Sequence, residues 1–240
     1  MTNLYHDILF APLDRDLHLE RIGGGNETEV YCTDDRRYVV KVKSHQAESL
    51  ASALAGATAM RKAARRFATV MGPQHSIPNQ FLLAANQAGL LQLLTIQPYY
   101  QNAQPLSSVD YGLLDEKARR RLARQLLHII RRSAATYGRR GWMPDLYGRI
   151  STSRSERERL NRWYMLPWRL WSFLFKRNLL RAHNLMLTAA PDRRVILVDY
   201  DPVMRGWLYQ FVYYNVRLWL FWRDLLLIAI MVVTGWVPKA

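Results

Sequence analysis

Two groups of residues, far apart in the chain, have the types needed to hold a nucleoside triphosphate and a divalent metal. Near the start, Gly23-Gly24-Gly25 precedes a strand-like segment, and Lys41 follows in the run YVVKVK. Near the end, Asn184 stands in HNLML and Asp199 closes the apolar run VILVD. Phosphoryl transfer asks for positioning and charge neutralisation more than for covalent chemistry. It needs backbone amides near phosphate, a lysine, metal-holding oxygens and an aligned acceptor. Asn184 and Asp199 offer hard oxygen ligands, few in number, and the nucleotide would supply the rest of a magnesium shell.

The elements that must position these residues can be read from pattern. The first group predicts a strand, a glycine turn, a second strand, a tight turn at Asp34-Asp35 and a third strand carrying Lys41. Strands are expected near 18–23, 28–33, 37–43, 80–84 and 91–96. A helix is expected over about 45–68, rich in Ala and Leu, with Gly72-Pro73 ending the helical region. A second helix should run from Asp115 to about Tyr137, burying Leu122, Leu126, Ile129 and Ser133, with Asp115 and Glu116 in its first turn and Gly138 at its end. Val195–Val198 form an apolar run of strand length that would fix Asp199 on a rigid element.

In their order and separation, these fragments resemble the protein-kinase-like superfamily, nearer its small-molecule kinases than its protein kinases. Gly23, Gly25 and Val30 fit the phosphate-covering GxGxxGxV loop, with Thr28 in place of the third glycine, and Lys41 stands where the strand-three lysine pairs with the nucleotide. Asp199-Tyr200-Asp201 stands where Asp-Phe-Gly would be. The resemblance implies an α+β fold of two lobes: a small β-rich lobe over residues 1–98 and a reduced, mostly helical lobe over 99–240. It implies ATP and magnesium as ligands. Gly23, Gly24 and Gly25 would cover the phosphates, and Asn184 with Asp199 would hold the metal. Glu48, the sole acidic residue between Asp35 and Asp110, is the candidate partner of Lys41. A plain first-turn acid favouring the helix dipole is the other reading of Glu48. The catalytic base normally lies about five residues before the metal-binding asparagine, but Leu179 occupies that place. Met143-Pro144-Asp145-Leu146-Tyr147-Gly148 instead looks like the start of a catalytic loop, which makes Asp145 the base and residues from about 149 to 182 an insertion. Gln97-Pro98-Tyr99-Tyr100 reads as the hinge between lobes or as an ordinary linker.

Charge and apolar residues carry a second signal. The chain of 240 residues is half hydrophobic and bears a formal charge of +15, so it can bury a substantial core while remaining strongly basic. Residues 149–182 hold nine Arg or Lys against two Glu, a net of +7, interleaved with Trp163, Tyr164, Trp168, Trp171, Phe173 and Phe175. Arg162, Arg169 and Lys176 share one helical face, while Trp168, Trp171 and Phe175 share another. That pattern suits a helix lying on anionic lipid, and equally a helix docked on its own lobe with snorkelling arginines. Nucleic acid is a third candidate partner, without a recognised module to support it. A hydrophobic helix is expected over about 206–237, but Arg223 and Asp224 inside it argue against a membrane span.

Other chemistries are disfavoured. Cys32 is the only cysteine, which excludes an internal disulfide, and a packing role on its strand is expected. The six histidines fall singly, without metal-ligand spacing, and His183 reads as a structural hydrogen-bonder. The amino terminus lacks a basic start and a long apolar run, so a cytoplasmic location is expected, peripheral to the inner face of a membrane. No Ala-Pro-Glu element follows Asp199, which disfavours a peptide acceptor. The expected activity is transfer of phosphoryl to a hydroxyl of a small molecule, sugar or lipid-linked acceptor. The alternatives are an inactive nucleotide-binding scaffold at a membrane, or a basic protein that binds membrane or nucleic acid and no nucleotide.

Overall fold

Alternation of β-branched and polar residues in TEVYCT and YVVKVK gives each strand two unlike faces, and the two segments pair as a hairpin. The computed structural model describes residues 4–5, 19–24, 28–43, 49–85, 91–147, 159, 162–199 and 206–237. These fall into two units. One is built from residues up to Arg65 together with Ile77–Gln101, the other from Arg66–Ser76 and those from Asn102 onward.

The first unit is a sheet with one helix against it. Its strands are β1 (Leu4–Tyr5), β2 (Leu19–Gly24), β3 (Thr28–Thr33), β4 (Tyr38–Lys43), β5 (Gln80–Ala85) and β6 (Leu91–Pro98), in the spatial order β1-β5-β6-β4-β3-β2. All neighbours are antiparallel except β1 and β5. The turn at Asp34-Asp35 forms as expected. Asp35 Oδ1 accepts from the Thr33 hydroxyl at 2.6 Å and the Arg37 amide at 3.0 Å, which satisfies the turn internally. The described part of α1 (Leu50–Met71) lays Ala53 and Ala57 against Leu83, with Leu54, Leu91 and Leu93 beside them. Small alanines let the helix approach the sheet closely. The helix stops at Gly72, whose φ of 83° ends the helical path.

The second unit is mostly helical. β7 (Gln104–Pro105), β8 (Leu185–Leu187) and β9 (Val195–Leu197) form a three-stranded sheet in that order. The long helices are α2 (Glu116–Arg140) and α4 (Trp207–Thr234), with the short α3 (Leu166–Trp171) between them in sequence. Asp115 caps α2 by accepting from the Ala118 amide at 2.7 Å, and Leu122, Leu126, Ile129 and Ser133 are all buried as the period predicted. They pack in one core with Leu106, Leu146, Leu179, Leu185, Val195 and Leu197.

Two expectations need correction. Helix α2 continues through Gly138 and ends at Gly141, with φ 68° and its amide bonded to the Tyr137 carbonyl at 2.8 Å. Gly138 lies inside the helix, where a glycine costs about 1 kcal/mol relative to alanine, and Arg139 and Arg140 suit the negative end of the helix dipole. The basic aromatic segment does not form one regular helix. Its described part is a tight turn at Trp163–Met165, then α3, then a π-helical turn at Ser172–Lys176 and a further tight turn at Leu179–Arg181. Among the described residues, no helix is long and apolar enough to cross a membrane.

Candidate active site

Sheet register fixes where Lys41 points. Val30 pairs with Lys41, Lys41 with Thr95, and Thr95 with Phe81, and side chains of paired residues share a sheet face. Two residues along β6 and β5, Leu93 and Leu83 project from the same face, and this is the face that α1 covers. Lys41 and Val30 therefore lie on the helix-bearing side of the sheet. Gly23 and Gly24 form the end of β2 opposite Val30 and Glu29, after a register shift between Arg21 and Gly23. Gly25 and Glu48 lie outside the described residues.

The second unit brings together residues that the sequence keeps far apart. Asn184 Nδ2 donates to the Asp145 carbonyl at 3.1 Å across 39 positions. The Asn184 carbonyl in turn accepts from the Val198 amide at 2.9 Å, so Asp199 follows one residue beyond that bond. A third link joins the two arms of the loop, from the His183 amide to the Tyr147 carbonyl at 2.9 Å. Asp145 and Asn184 are thus joined directly, and the strand that ends before Asp199 is bonded to Asn184. The amide nitrogen of Asn184 is used in holding the loop, and its oxygen is the atom suited to a cation.

Asp145 is itself oriented. Its Oδ1 accepts from the Tyr147 amide and from the Tyr213 hydroxyl, each at 3.1 Å. Tyr213 projects from α4, and one helical turn on, the Arg217 guanidinium lies 3.7 Å from the centre of the Tyr147 ring. The Tyr147 hydroxyl donates to Asp224 Oδ2 at 2.5 Å, and Arg223 pairs with Asp224 Oδ1 at 2.9 Å. Arg223 also donates to the carbonyls of Leu174 and Arg177. Burial pushes the Asp224 carboxyl above the ordinary carboxylate range, against the opposing pull of Arg223 and the Tyr147 hydroxyl. Burial likewise raises the Tyr213 phenol, with Asp145 adding to the effect.

Sequence reasoning named Asp145 and Asn184 but not the residues that surround them. Tyr213, Arg217 and Asp224 recur at four and seven positions in a largely apolar helix, which places them on one face. Polar residues at that spacing in such a helix are the signal that could have found them. Arg223 and Asp224 do have partners inside the protein, which explains their presence in an apolar stretch.

His183 and His75 both take part in hydrogen bonds within the protein. His183 Nδ1 lies 3.2 Å from the Ser107 hydroxyl, and burial with nearby Arg177 holds its pKa below the imidazole norm. His75 Nδ1 meets the Val195 carbonyl at 2.7 Å, and the Leu197 amide donates to the His75 carbonyl at 2.9 Å, which ties the segment after α1 to β9. Cys32 is buried on β3, in keeping with a packing role. Among the described residues, no cluster of three or more His, Cys, Asp or Glu could hold a metal. One asparagine and one aspartate fit magnesium only if phosphate oxygens complete its shell. An open depression of about 380 Å³ lies between Asn102, Asp110, Leu113 and the turn at Thr188–Arg193, and none of the candidate residues lines it.

No family model matches the sequence, and no curated protein matches it. Among solved structures, the chain is similar to an apo pseudokinase, with 11% identity and a TM-score of 0.45 over 100% of this chain and 74% of that one. It is also similar to spectinomycin phosphotransferase APH(9)-Ia in complex with ADP and spectinomycin. There the identity is 12% and the TM-score 0.41, over 95% of this chain and 87% of that one.

Proposed function

We propose that this protein binds ATP with magnesium and transfers the γ-phosphoryl group to a hydroxyl of a small-molecule, sugar or lipid-linked acceptor. The observation that supports the reading is that Asn184 is bonded to both neighbouring segments, to the Asp145 carbonyl through its side chain and to the Val198 amide, one residue before Asp199, through its own carbonyl. Lys41, on the helix-bearing face of its sheet, supplies the cation for the phosphates, and Gly23, Gly24, Gly25 and Val30 form the loop over them. Glu48 orients Lys41. Asp145 orients the acceptor hydroxyl and takes its proton as the acceptor oxygen bonds to the γ-phosphorus and the bond to the β-phosphate oxygen breaks, releasing ADP. Magnesium, when bound, neutralises the phosphate charge.

A second reading has its own support. Asp145 Oδ1 already receives two donors, which suits a carboxylate that holds a loop as much as one that accepts a proton. In that reading the protein is a nucleotide-binding scaffold without turnover. ADP release from Mg-ATP, with water as acceptor, separates the two. The enzyme reading expects slow release by the wild type, reduced at least about a hundredfold in Asp145→Asn, the range typical of a lost general base. Equal release by both proteins contradicts it. We place the protein in the cytoplasm at the inner face of a membrane, where exposed Trp163, Trp168 and Trp171 among basic residues suit an anionic surface.

A further inference from the structure

Helix α4 is amphipathic in the inverted sense. Its buried face carries Arg217 and Asp224, both about 1% exposed, together with Tyr214, Phe221, Ile228 and Met231. Its outward face carries Leu208, Phe211, Val212, Trp219, Trp222, Leu226 and Val233, exposed by between 53% and 79%. With exposed Asn215 and Ala229 filling the two seven-residue gaps, these outward residues follow the helical period from one end of the helix to the other, so they form one stripe along its length. The stripe is about 40 Å long at 1.5 Å per residue. Asn215 is the polar interruption, and no charged residue falls on the stripe among the described residues. Large contiguous apolar surface of this kind marks an interaction site.

The surroundings of the stripe indicate its partner. Near its first half, Asn215 Nδ2 donates to the Tyr137 hydroxyl at 2.6 Å, which brings the end of α2 alongside, with Arg139 and Arg140 exposed. Beside its middle, the bonds from Arg223 to Leu174 and Arg177 hold the segment in which Trp168, Trp171 and Phe175 are exposed and Lys176 lies 4.9 Å from the Trp168 ring centre. Arginine and lysine therefore flank an apolar, tryptophan-rich strip on a chain of charge +15. Tryptophan favours the headgroup level of a bilayer, and basic flanks favour anionic lipid. Nucleic acid would need cations on the strip itself, and a second copy of this chain would bring like charges against the flanks.

We infer that α4 lies in the plane of an anionic bilayer surface and docks through the stripe from Leu208 to Val233, without spanning the membrane. The inference rests on the membrane-surface part of the reading above and is independent of nucleotide binding. The same helix presents Tyr213 to Asp145 on its inner side, so the docking surface and the candidate site share one rigid element.

Flotation of the full chain without nucleotide tests it, using vesicles of equimolar phosphatidylglycerol and phosphatidylcholine beside vesicles of phosphatidylcholine alone. The wild type should float with the anionic vesicles, and Trp219→Gln/Trp222→Gln should weaken partitioning by roughly tenfold or more. Both positions are exposed, so the double variant should unfold at the wild-type temperature, which shows that it folds. Undiminished flotation of that variant, with loss in Arg162→Gln/Lys176→Gln, would keep the membrane but overturn α4 as its dock. Absence of wild-type flotation would overturn the membrane reading too, whether the stripe then proves to bury itself in a dimer by light scattering or to bind duplex RNA. A Mg-ATP response in the same samples reports separately on the nucleotide reading.

Discussion

At the scale of single residues, the candidate base and its support behave as one hydrogen-bonded set. Tyr213→Phe removes one of the two donors to Asp145 Oδ1 and leaves the ring packing. If the site turns over, kcat should fall about tenfold with KM for ATP unchanged, as expected when an orienting partner is lost. A parallel loss in KM would mean that the residue acts on binding instead. Asp224→Ala strips the buried partner from both Tyr147 and Arg223 and should cost about 3 kcal/mol in denaturant unfolding. Asp224→Asn keeps an acceptor for Tyr147 and should cost less. The histidines set a pH dependence. Burial holds His75 and His183 below the imidazole norm, so as pH falls below about 6.5 the unfolded chain takes up protons before the folded one does, and stability falls. The unfolding temperature should therefore drop on acidification from neutral pH, and His75→Gln should flatten the drop. Asp224, with its raised pKa, works in the opposite direction, giving stability that fades as pH rises through its folded value. A steeper drop in His75→Gln would contradict the assignment.

At the scale of elements, the end of α2 supplies a test with opposite signs at two nearby glycines. Gly138 sits inside the helix with nothing within 4 Å of an added methyl group, so Gly138→Ala should stabilise by roughly 0.5–1 kcal/mol. Gly141 has the same open space but a φ of 68°, so Gly141→Ala should destabilise by about 1 kcal/mol. If Gly138→Ala were the destabilising change, the helix would end where the sequence first suggested. The reason for that misplacement is physical: a glycine three residues before another offers two stopping points, and the choice is made by the Tyr137 carbonyl bond at Gly141. Strands β2 to β6, by contrast, were legible to within two residues, with alternation in β3 and β4 and the Asp34-Asp35 turn leaving little freedom of register, whereas the short β1, β7 and β8 carried no such pattern. The segment around α3 was legible as basic and aromatic but not in form. Its aromatic spacing is helical, yet the winding loosens to a π-helical turn at Ser172–Lys176, beside the carbonyls of Leu174 and Arg177 that accept from Arg223 on α4.

At the scale of the whole molecule, the order of elements was readable while the support beneath the site was not. Asp145 and Asn184 could be named because the short segments around them, Met143–Gly148 and HNLML, resemble motifs of the kinase-like superfamily. The bond that joins them spans 39 positions, and beside it the Tyr147 ring and hydroxyl meet Arg217 and Asp224 of α4. Nothing local in sequence states such a long-range arrangement. The central claim concerns nucleotide, and its most direct test is thermal unfolding of the wild type and of Asp199→Ala with and without Mg-ATP. A ligand at about 100 times its dissociation constant should stabilise the folded wild type by roughly 2.7 kcal/mol. The account predicts a magnesium-dependent rise in the wild type that is absent from Asp199→Ala; no rise at millimolar nucleotide, or an equal rise in both proteins, would contradict it.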